Sequence, residues 1–182
     1  MNKRKNICRE KILKLITPKP NWYKRDKILA QHLKRYIIKN RYKRVMIFIP
    51  LKKEVNIAPI IKQLRQKGIA LYVPFMEGES FKLVKYRLPL HTKKFGIKEP
   101  NISNIKIKKI DLAIIPIVGV DRDCKRVGFG KGMYDRFFDR YKIVKKRIFL
   151  ARELFICNKS VTNRYDIDAN EIFTTSIKIV SI

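Results

Sequence analysis

Residues 125–136 read K-R-V-G-F-G-K-G-M-Y-D-R. Glycine occupies every second position at Gly128, Gly130 and Gly132. The backbone there lacks the Cβ atoms that keep a ligand away, and it can take positive φ where a phosphate nest needs it. Arg126 offers a fixed cation and Lys131 a mobile one for phosphate oxygens, Tyr134 can line a pocket, and Asp135 can hold a divalent metal. A helix starting near Gly132 would add its N-terminal partial positive charge. The spacing is neither G-x-x-x-x-G-K-[ST] nor G-x-G-x-x-G, so neither the common NTPase loop nor the dinucleotide fingerprint applies. Glycine spacing by itself fits a plain flexible turn equally well.

These residues need a strand, a turn and a helix to hold them. The apolar run 111–120 precedes the glycines and Phe137 and Phe138 follow them, which predicts those three elements in that order. Residues 3–15 place Ile7, Ile12 and Leu15 at helical spacing among cations, and Pro18 and Pro20 stop this short amphipathic helix. A second helix is predicted over 21–39, where Ile28, Leu29, Leu33, Tyr36 and Ile37 keep the i, i+3, i+4 rhythm. Asn21 stands where a cap belongs, and His32 falls on or beside the apolar stripe as a packing residue. Residues 44–49 read as the first strand, 57–67 as a helix closed by Gly68, and 69–73 as the next strand. Such a β-loop-α-β unit implies a parallel pair. Ligands of these sheets bind outside the carboxyl ends of the strands, where Glu54 and the segment after Pro74 fall. Residues 81–88 form an antiparallel excursion, and 111–116, 147–150, 171–174 and 177–180 are further strands.

At 182 residues and 46 % hydrophobic content, the chain fits one domain with a sizeable core. Lys and Arg number 44 against 15 Asp and Glu, a formal charge of +29 that ordinarily points to a polyanion. The cations run from Lys3 to Lys178, interleaved with Ile, Leu and Val as on solvated faces, and form no single tail. Cys8, Cys124 and Cys157 are odd in number and far apart, with no C-x-x-C. Reduced thiols are therefore expected, with neither a disulfide framework nor a zinc site. No apolar run approaches the ~20 residues that span a bilayer, and MNKRKNICREK lacks a signal-peptide core, so a cytoplasmic protein with no membrane partner is expected.

The stretch from Arg126 to Arg136 resembles R-[LV]-G-x-G-x-G-[YF]-Y-D-[RK], the signature of the 5-formyltetrahydrofolate cyclo-ligases, also called methenyltetrahydrofolate synthetases. Nearly the whole chain follows the family's order: Lys5-x-x-x-Arg9, Glu54, Phe95-Gly96-Ile97-Lys98-Glu99-Pro100, the glycine loop and Asp166. The resemblance implies a single α/β domain over residues 1–182, a Rossmann-like three-layer sandwich with a mostly parallel central sheet flanked by helices. It implies that ATP is bound by Lys5, Arg9, Arg126, Val127, Gly128, Phe129, Gly130, Lys131, Gly132, Met133 and Tyr134. Glu54, with Phe129 through Tyr134, is implied to contact the folate. Magnesium is implied at Asp135 and Asp166, with Asp168 as a rival ligand two positions on, and the catalytic set is Arg126, Lys131 and Asp135.

The implied reaction phosphorylates the formyl oxygen of 5-formyltetrahydrofolate from ATP. N10 then attacks the iminophosphate, and phosphate leaves as 5,10-methenyltetrahydrofolate forms. The implied partner is this small molecule, with or without a polyglutamate tail, and a monomer is expected. Tyr134, Phe75, Met76 and Phe95 are candidate walls for the pterin, with Phe75 and Phe95 read as core. Two departures stand out: Met133 replaces the aromatic residue usual before the Tyr-Asp pair, which loses stacking area, and Asn170 stands where some members carry an acid. Two other readings compete. Trp22, Tyr23, Tyr36 and Tyr42 lie among cations, as in nucleic-acid-binding modules where bases stack. A same-fold ATP-dependent enzyme with another substrate is the third, since fold does not fix function. A carboxylate beside a phosphate cradle suits a metal-bound nucleotide better than a nucleic-acid backbone, and nucleic acid is not the expected partner.

Overall fold

The computed structural model describes residues 3–93, 96–103, 105–175 and 180–181. Helices α1 (Lys3–Leu15) and α2 (Trp22–Lys39) precede β1 (Arg44–Met46), α3 (Ala58–Gln66) and β2 (Ala70–Glu77). Strands β3 (Ser80–Lys85), β4 (Leu90–Thr92), β5 (Lys98–Pro100) and β6 (Ile110–Pro116) follow. After them come β7 (Gly119–Val120), β8 (Arg126–Val127), α4 (Met133–Arg140), β9 (Val144–Leu150), β10 (Glu171–Phe173) and β11 (Val180–Ser181).

Seven strands form one sheet in the order β11-β10-β9-β6-β1-β2-β3. The inner pairs are parallel, and β3 and β11 add antiparallel edges. Side chains alternate across the pleat, so each buried strand feeds two cores. Val45, Leu112, Ile114, Ile148 and Leu150 pack with Leu29, Leu33 and Ile37 of α2 and Ile60, Ile61 and Leu64 of α3. Met46, Ala113, Ile115 and Phe149 meet Phe137 and Phe138 of α4 on the other face. The result is a three-layer α/β sandwich with a mostly parallel sheet, as the sequence implied.

Local chemistry explains most boundaries. Pro59 sits in the first turn of α3, where its missing N–H costs nothing, and Gly68 at φ +74° lets the chain leave the helix. Asn21 occupies the N-cap position of α2 but makes no side-chain capping bond. Strand β1 is shorter than the predicted 44–49: it ends at Met46, the Ile47 N–H still reaches the Tyr72 carbonyl at 2.8 Å, and the chain then leaves the ladder toward Pro50. Ile28, on the predicted apolar stripe of α2, is 50 % exposed, while Leu29, Leu33 and Ile37 carry the packing. His32 is half-buried on the same helix.

Two expectations are corrected. The strand that feeds the glycines is not the predicted apolar run: β6 runs into a small antiparallel ribbon of β7 and β8, and the glycine loop joins β8 to α4. The organiser is Asp121, fully buried, whose carboxylate accepts from the N–H groups of Asp123 and Lys125 within the ribbon and of Val161 and Thr162 from the segment leading to Asp166. Burial would raise this carboxyl's pKa, but the Thr162 hydroxyl and N–H, with the Lys125 and Val161 N–H groups, hold it below its ordinary value. The second correction concerns the thiols. Cys8 and Cys157, 149 positions apart, form a disulfide with Cα atoms 6.1 Å apart, tying α1 to the segment that follows β9, and only Cys124 is free among the described residues. A separation that long leaves no spacing signal for pairing. The predicted last strand is seen at β11; residues 177–179 lie outside the described residues, as does Phe95.

Candidate active site

The chain passes from β1 through α3 to β2 on one side, and β6 pairs with the opposite side of β1, so the sheet reverses its winding between β1 and β6. At the carboxyl ends of two such strands, loops diverge to opposite faces and leave a crevice. The loop after β1 brings Glu54 there, and the ribbon after β6 brings residues 126–135. Two cavities open at this point, of about 340 Å3 and about 160 Å3. Arg126, Gly130, Lys131 and Gly132 line both.

The larger cavity is polar. Lys5 and Arg9, one helical turn apart on α1, reach it together with Arg126, Asp135 and Asp166. Arg126 is 4 % exposed and spans the site: its guanidinium donates to the Pro116 carbonyl at 3.1 Å, pairs with Asp135 at 3.4 Å, and lies 4.8 Å over the Tyr134 ring. Lys5 pairs with Asp166, and Arg9 donates to the Gly128 carbonyl at 2.7 Å. Burial, with Arg126 close by, holds the Arg9 guanidinium below its ordinary pKa against the opposing pull of Asp166 and Asp135. Two guanidinium groups crowded in this way favour an anion between them.

Glycine is required at two points of the loop for different reasons. A Cβ on Gly128 would lie 2.2 Å from the Arg126 guanidinium, so this glycine makes room for an arginine and not for a ligand. Gly130 has φ +123°, which L side chains avoid, and this conformation turns the chain between the cavities. Helix α4 begins after Gly132 with no side-chain cap, leaving its first-turn amides without one. Arg136 braces the loop from behind, donating to the Lys131 carbonyl at 2.6 Å and to the Glu79 carbonyl at 2.7 Å in the β2–β3 turn.

The smaller cavity is largely apolar. Phe48, Leu51, Pro74, Met76, Met133 and Tyr134 surround the Glu54 carboxyl. Glu54 accepts from the Leu51 N–H at 2.9 Å. Burial pushes its carboxyl above the ordinary range, against that hydrogen bond and the more distant Arg126 and Arg152. It lies ahead of α3, outside that helix's first turn. Tyr134 packs edge-on against Phe81 at 5.1 Å, and burial, with Glu54 nearby, raises its hydroxyl above the ordinary value against the pull of Arg126.

The structure thus sorts a set that the sequence left mixed. Phe129, Met133 and Tyr134 line only the apolar cavity, and Gly128 only the polar one. Val127 belongs to neither: its side chain is fully buried with Ile12, Val118 and Val161, and its carbonyl accepts from Val118. Asp168 pairs with Arg147 and is absent from the polar cavity's walls, whereas Asp166 is among them. Asn170 accepts from the Arg147 N–H, a bond between β9 and the residue ahead of β10. On β2, Met76 lines the apolar cavity and Phe75 packs toward the opposite core. Sequence reasoning missed Arg152, and it placed Arg136 and Glu99 in motifs without giving either a role. Glu99 accepts from the Met76 N–H at 2.8 Å and so fixes the floor strand. Among the described residues, no group of three or more His, Cys, Asp or Glu side chains converges as a metal cluster. No helix among them is long and apolar enough to cross a membrane.

Three of the four aromatics that suggested base stacking are engaged within the fold. Arg152 lies 4.0 Å over Trp22, while Tyr36 bonds Glu171 and packs on Phe173 and Tyr42. A stacking platform therefore does not form.

The fold and the site together define an α/β protein with a cationic cleft beside a largely apolar cavity at the switch point of its sheet. Residues 2–175 match the 5-formyltetrahydrofolate cyclo-ligase family, and the chain belongs to it. It is 25 % identical over 145 residues to the 5-formyltetrahydrofolate cyclo-ligase of Escherichia coli K12, covering 72 % of this chain and 78 % of that one. To the Mus musculus 5-formyltetrahydrofolate cyclo-ligase it is 26 % identical over 157 residues, 76 % of this chain and 77 % of the other. The NMR structure of Aquifex aeolicus 5,10-methenyltetrahydrofolate synthetase superimposes with a TM-score of 0.80 at 25 % identity, covering 97 % of this chain and 92 % of that one. A Mycoplasma pneumoniae 5,10-methenyltetrahydrofolate synthetase shares the fold with a TM-score of 0.70 at 21 % identity, covering 93 % and 97 % of the two chains.

Proposed function

We propose that the chain uses ATP to cyclise 5-formyltetrahydrofolate to 5,10-methenyltetrahydrofolate, releasing ADP and phosphate. The observation that carries this reading is the wall of residues 130–132, common to a cationic cavity and an apolar one. A triphosphate in the first and a reduced pterin in the second would meet across that wall.

Lys5 and Arg9 bind the triphosphate from α1, and relief of the repulsion between Arg9 and Arg126 adds to its binding. Lys131, on the shared wall, balances charge on the phosphoryl group as it passes to the formyl oxygen, and buried Arg126 does so from a fixed position. The apolar walls exclude water that would otherwise take the phosphoryl group. Glu54 orients the pterin by its carboxyl, and Met133 and Tyr134 lie against the ring. No side-chain nucleophile is needed, because N10 of the substrate displaces phosphate itself.

Asp135 and Asp166 fit a magnesium ion: both carboxylates line the polar cavity and each already draws a cation, Arg126 and Lys5 respectively. Two carboxylates with phosphate oxygens and water suit a hard octahedral ion, which when bound supplies further neutralisation of the transferring group. The test is to mix protein, 5-formyltetrahydrofolate, ATP and magnesium and follow the near-ultraviolet absorbance of the methenyl product together with ADP. Product and ADP in equal amounts are expected; no product overturns the reading.

A further inference from the structure

The loop that carries Glu54 has no regular structure between β1 and α3, yet its backbone is held at three points, the Lys53 and Glu54 carbonyls and the Asn56 N–H, by groups remote in sequence. The Arg152 guanidinium, just past the carboxyl end of β9, donates from Nη1 to the Lys53 carbonyl at 2.9 Å and from Nη2 to the Glu54 carbonyl at 2.5 Å. Its Nε and Nη2 also grip both oxygens of Asp26 on α2, each at 2.8 Å. Asp26 in turn accepts from the Asn56 N–H at 2.8 Å, and the Trp22 ring covers the guanidinium at 4.0 Å. Asp26 is 4 % exposed.

We propose that Arg152 is a positioning residue for the folate site: it fixes the carbonyls on either side of the Lys53-Glu54 peptide and thereby sets where the Glu54 carboxyl stands in the apolar cavity. This rests on the reading that Glu54 contacts the folate. The geometry requires arginine in particular. Four of the five N–H directions of one planar fork are used, two on a buried carboxylate and two on consecutive carbonyls, and a lysine ammonium cannot supply that plane. Asp26 serves the guanidinium as its counter-ion and orienter, and Trp22 keeps water from competing for the same N–H groups. Arg152 and Asp26 line neither cavity themselves; their side-chain contacts run to Trp22 and to the loop that carries Glu54, a wall of the apolar cavity, and to none of the residues that line the polar one. The proposal therefore separates the two substrates.

The test compares Arg152→Lys, Glu54→Gln and the double variant in steady-state assays of the full chain, with thermal unfolding as a control. Arg152→Lys should raise the KM for 5-formyltetrahydrofolate by roughly ten-fold while the KM for ATP stays within about two-fold. In the Glu54→Gln background the same lysine should have no further effect on the folate KM, because both changes act through one carboxyl. Removing one member of a buried pair can unfold a protein, so Asp26→Asn/Arg152→Gln, which removes both charges together, carries the same comparison if the lysine variant does not fold. An equal rise in both KM values, or a lysine effect that persists undiminished without the Glu54 carboxylate, overturns the proposal and leaves Glu54 its role. An unchanged folate KM in Glu54→Gln alone overturns the Glu54 reading, and the proposal for Arg152 falls with it.

Discussion

On one side of residues 130–132 the cavity walls carry Lys5, Arg9, Arg126, Asp135 and Asp166; on the other, Phe48, Pro74, Met76 and Met133 surround the carboxyl of Glu54. Charges in the first are compensated by one another, Lys5 by Asp166 and Arg126 by Asp135. In the second the carboxyl has a backbone N–H as its hydrogen-bond partner, and burial pushes its pKa upward. One cavity is dominated by charge, which salt and metal can modulate, and the other by apolar walls around a desolvated carboxyl, with Arg126 and Lys131 at the shared border. The proposed reaction at their border would draw on both, since a phosphoryl group must be neutralised while water is kept out.

The comparison breaks most sharply at Asp135. Asp135→Ala should lower turnover by about a thousand-fold or more, as loss of charge placed for the transition state does, and single-turnover formation of ADP measures it. Turnover near the wild-type rate in magnesium would exclude a metal role for this carboxylate. Lys131→Met should cost roughly ten- to a hundred-fold in kcat/KM for ATP, with a steeper loss as salt is lowered; an equal loss at all ionic strengths would make the contact steric.

On the apolar side, Glu54→Gln should raise the folate KM about ten-fold and leave that of ATP unchanged. Its pH signature carries a definite sign. The folded pKa lies above the ordinary 4.5, so the carboxylate is lost as pH falls through that raised value, and the acid limb of kcat/KM for folate should sit above pH 4.5. That limb should vanish in Glu54→Gln; its persistence would assign it to another group. The smallest effect is expected at Met133. Restoring an aromatic ring with Met133→Phe should tighten folate binding by a few-fold, the ~0.5–1.5 kcal/mol of a ring contact, without moving ATP. A change in ATP affinity would mean that the sorting of loop residues between the cavities is wrong.

Much of this frame was legible in the sequence because its signals are local. The buried strand β6 carries the apolar run 112–116, Pro59 marks the first turn of α3 and Gly68 its exit, and the alternating glycines mark the loop between β8 and α4. What escaped depends on directions that no spacing encodes. The ribbon of β7 and β8 has two residues per strand and is held chiefly by Asp121, whose partners at Val161 and Thr162 lie 40 and 41 positions away. Arg152 meets Asp26 across 126 positions, and Val127 sits inside the motif while facing the core. Asp166 and Asp168 are alike in sequence, and only the fold turns one toward the cavity and pairs the other with Arg147.

The bridge between Cys8 and Cys157 turns most of the chain into a covalent ring from which two tails emerge, one of residues before Cys8 and one of residues after Cys157. Lys5 lies on the first tail and Asp166 on the second, and their ion pair clasps the tails together at the rim of the polar cavity. With the sulfurs joined, that clasp is an encounter between neighbours on a short leash; with them parted, α1 keeps its packing of Ile12 on Val118 and Val127, and the later segment keeps its bonds to Asp121. The wall of the polar cavity beside Lys5 is thus stitched twice, once by charge and once by a covalent bond.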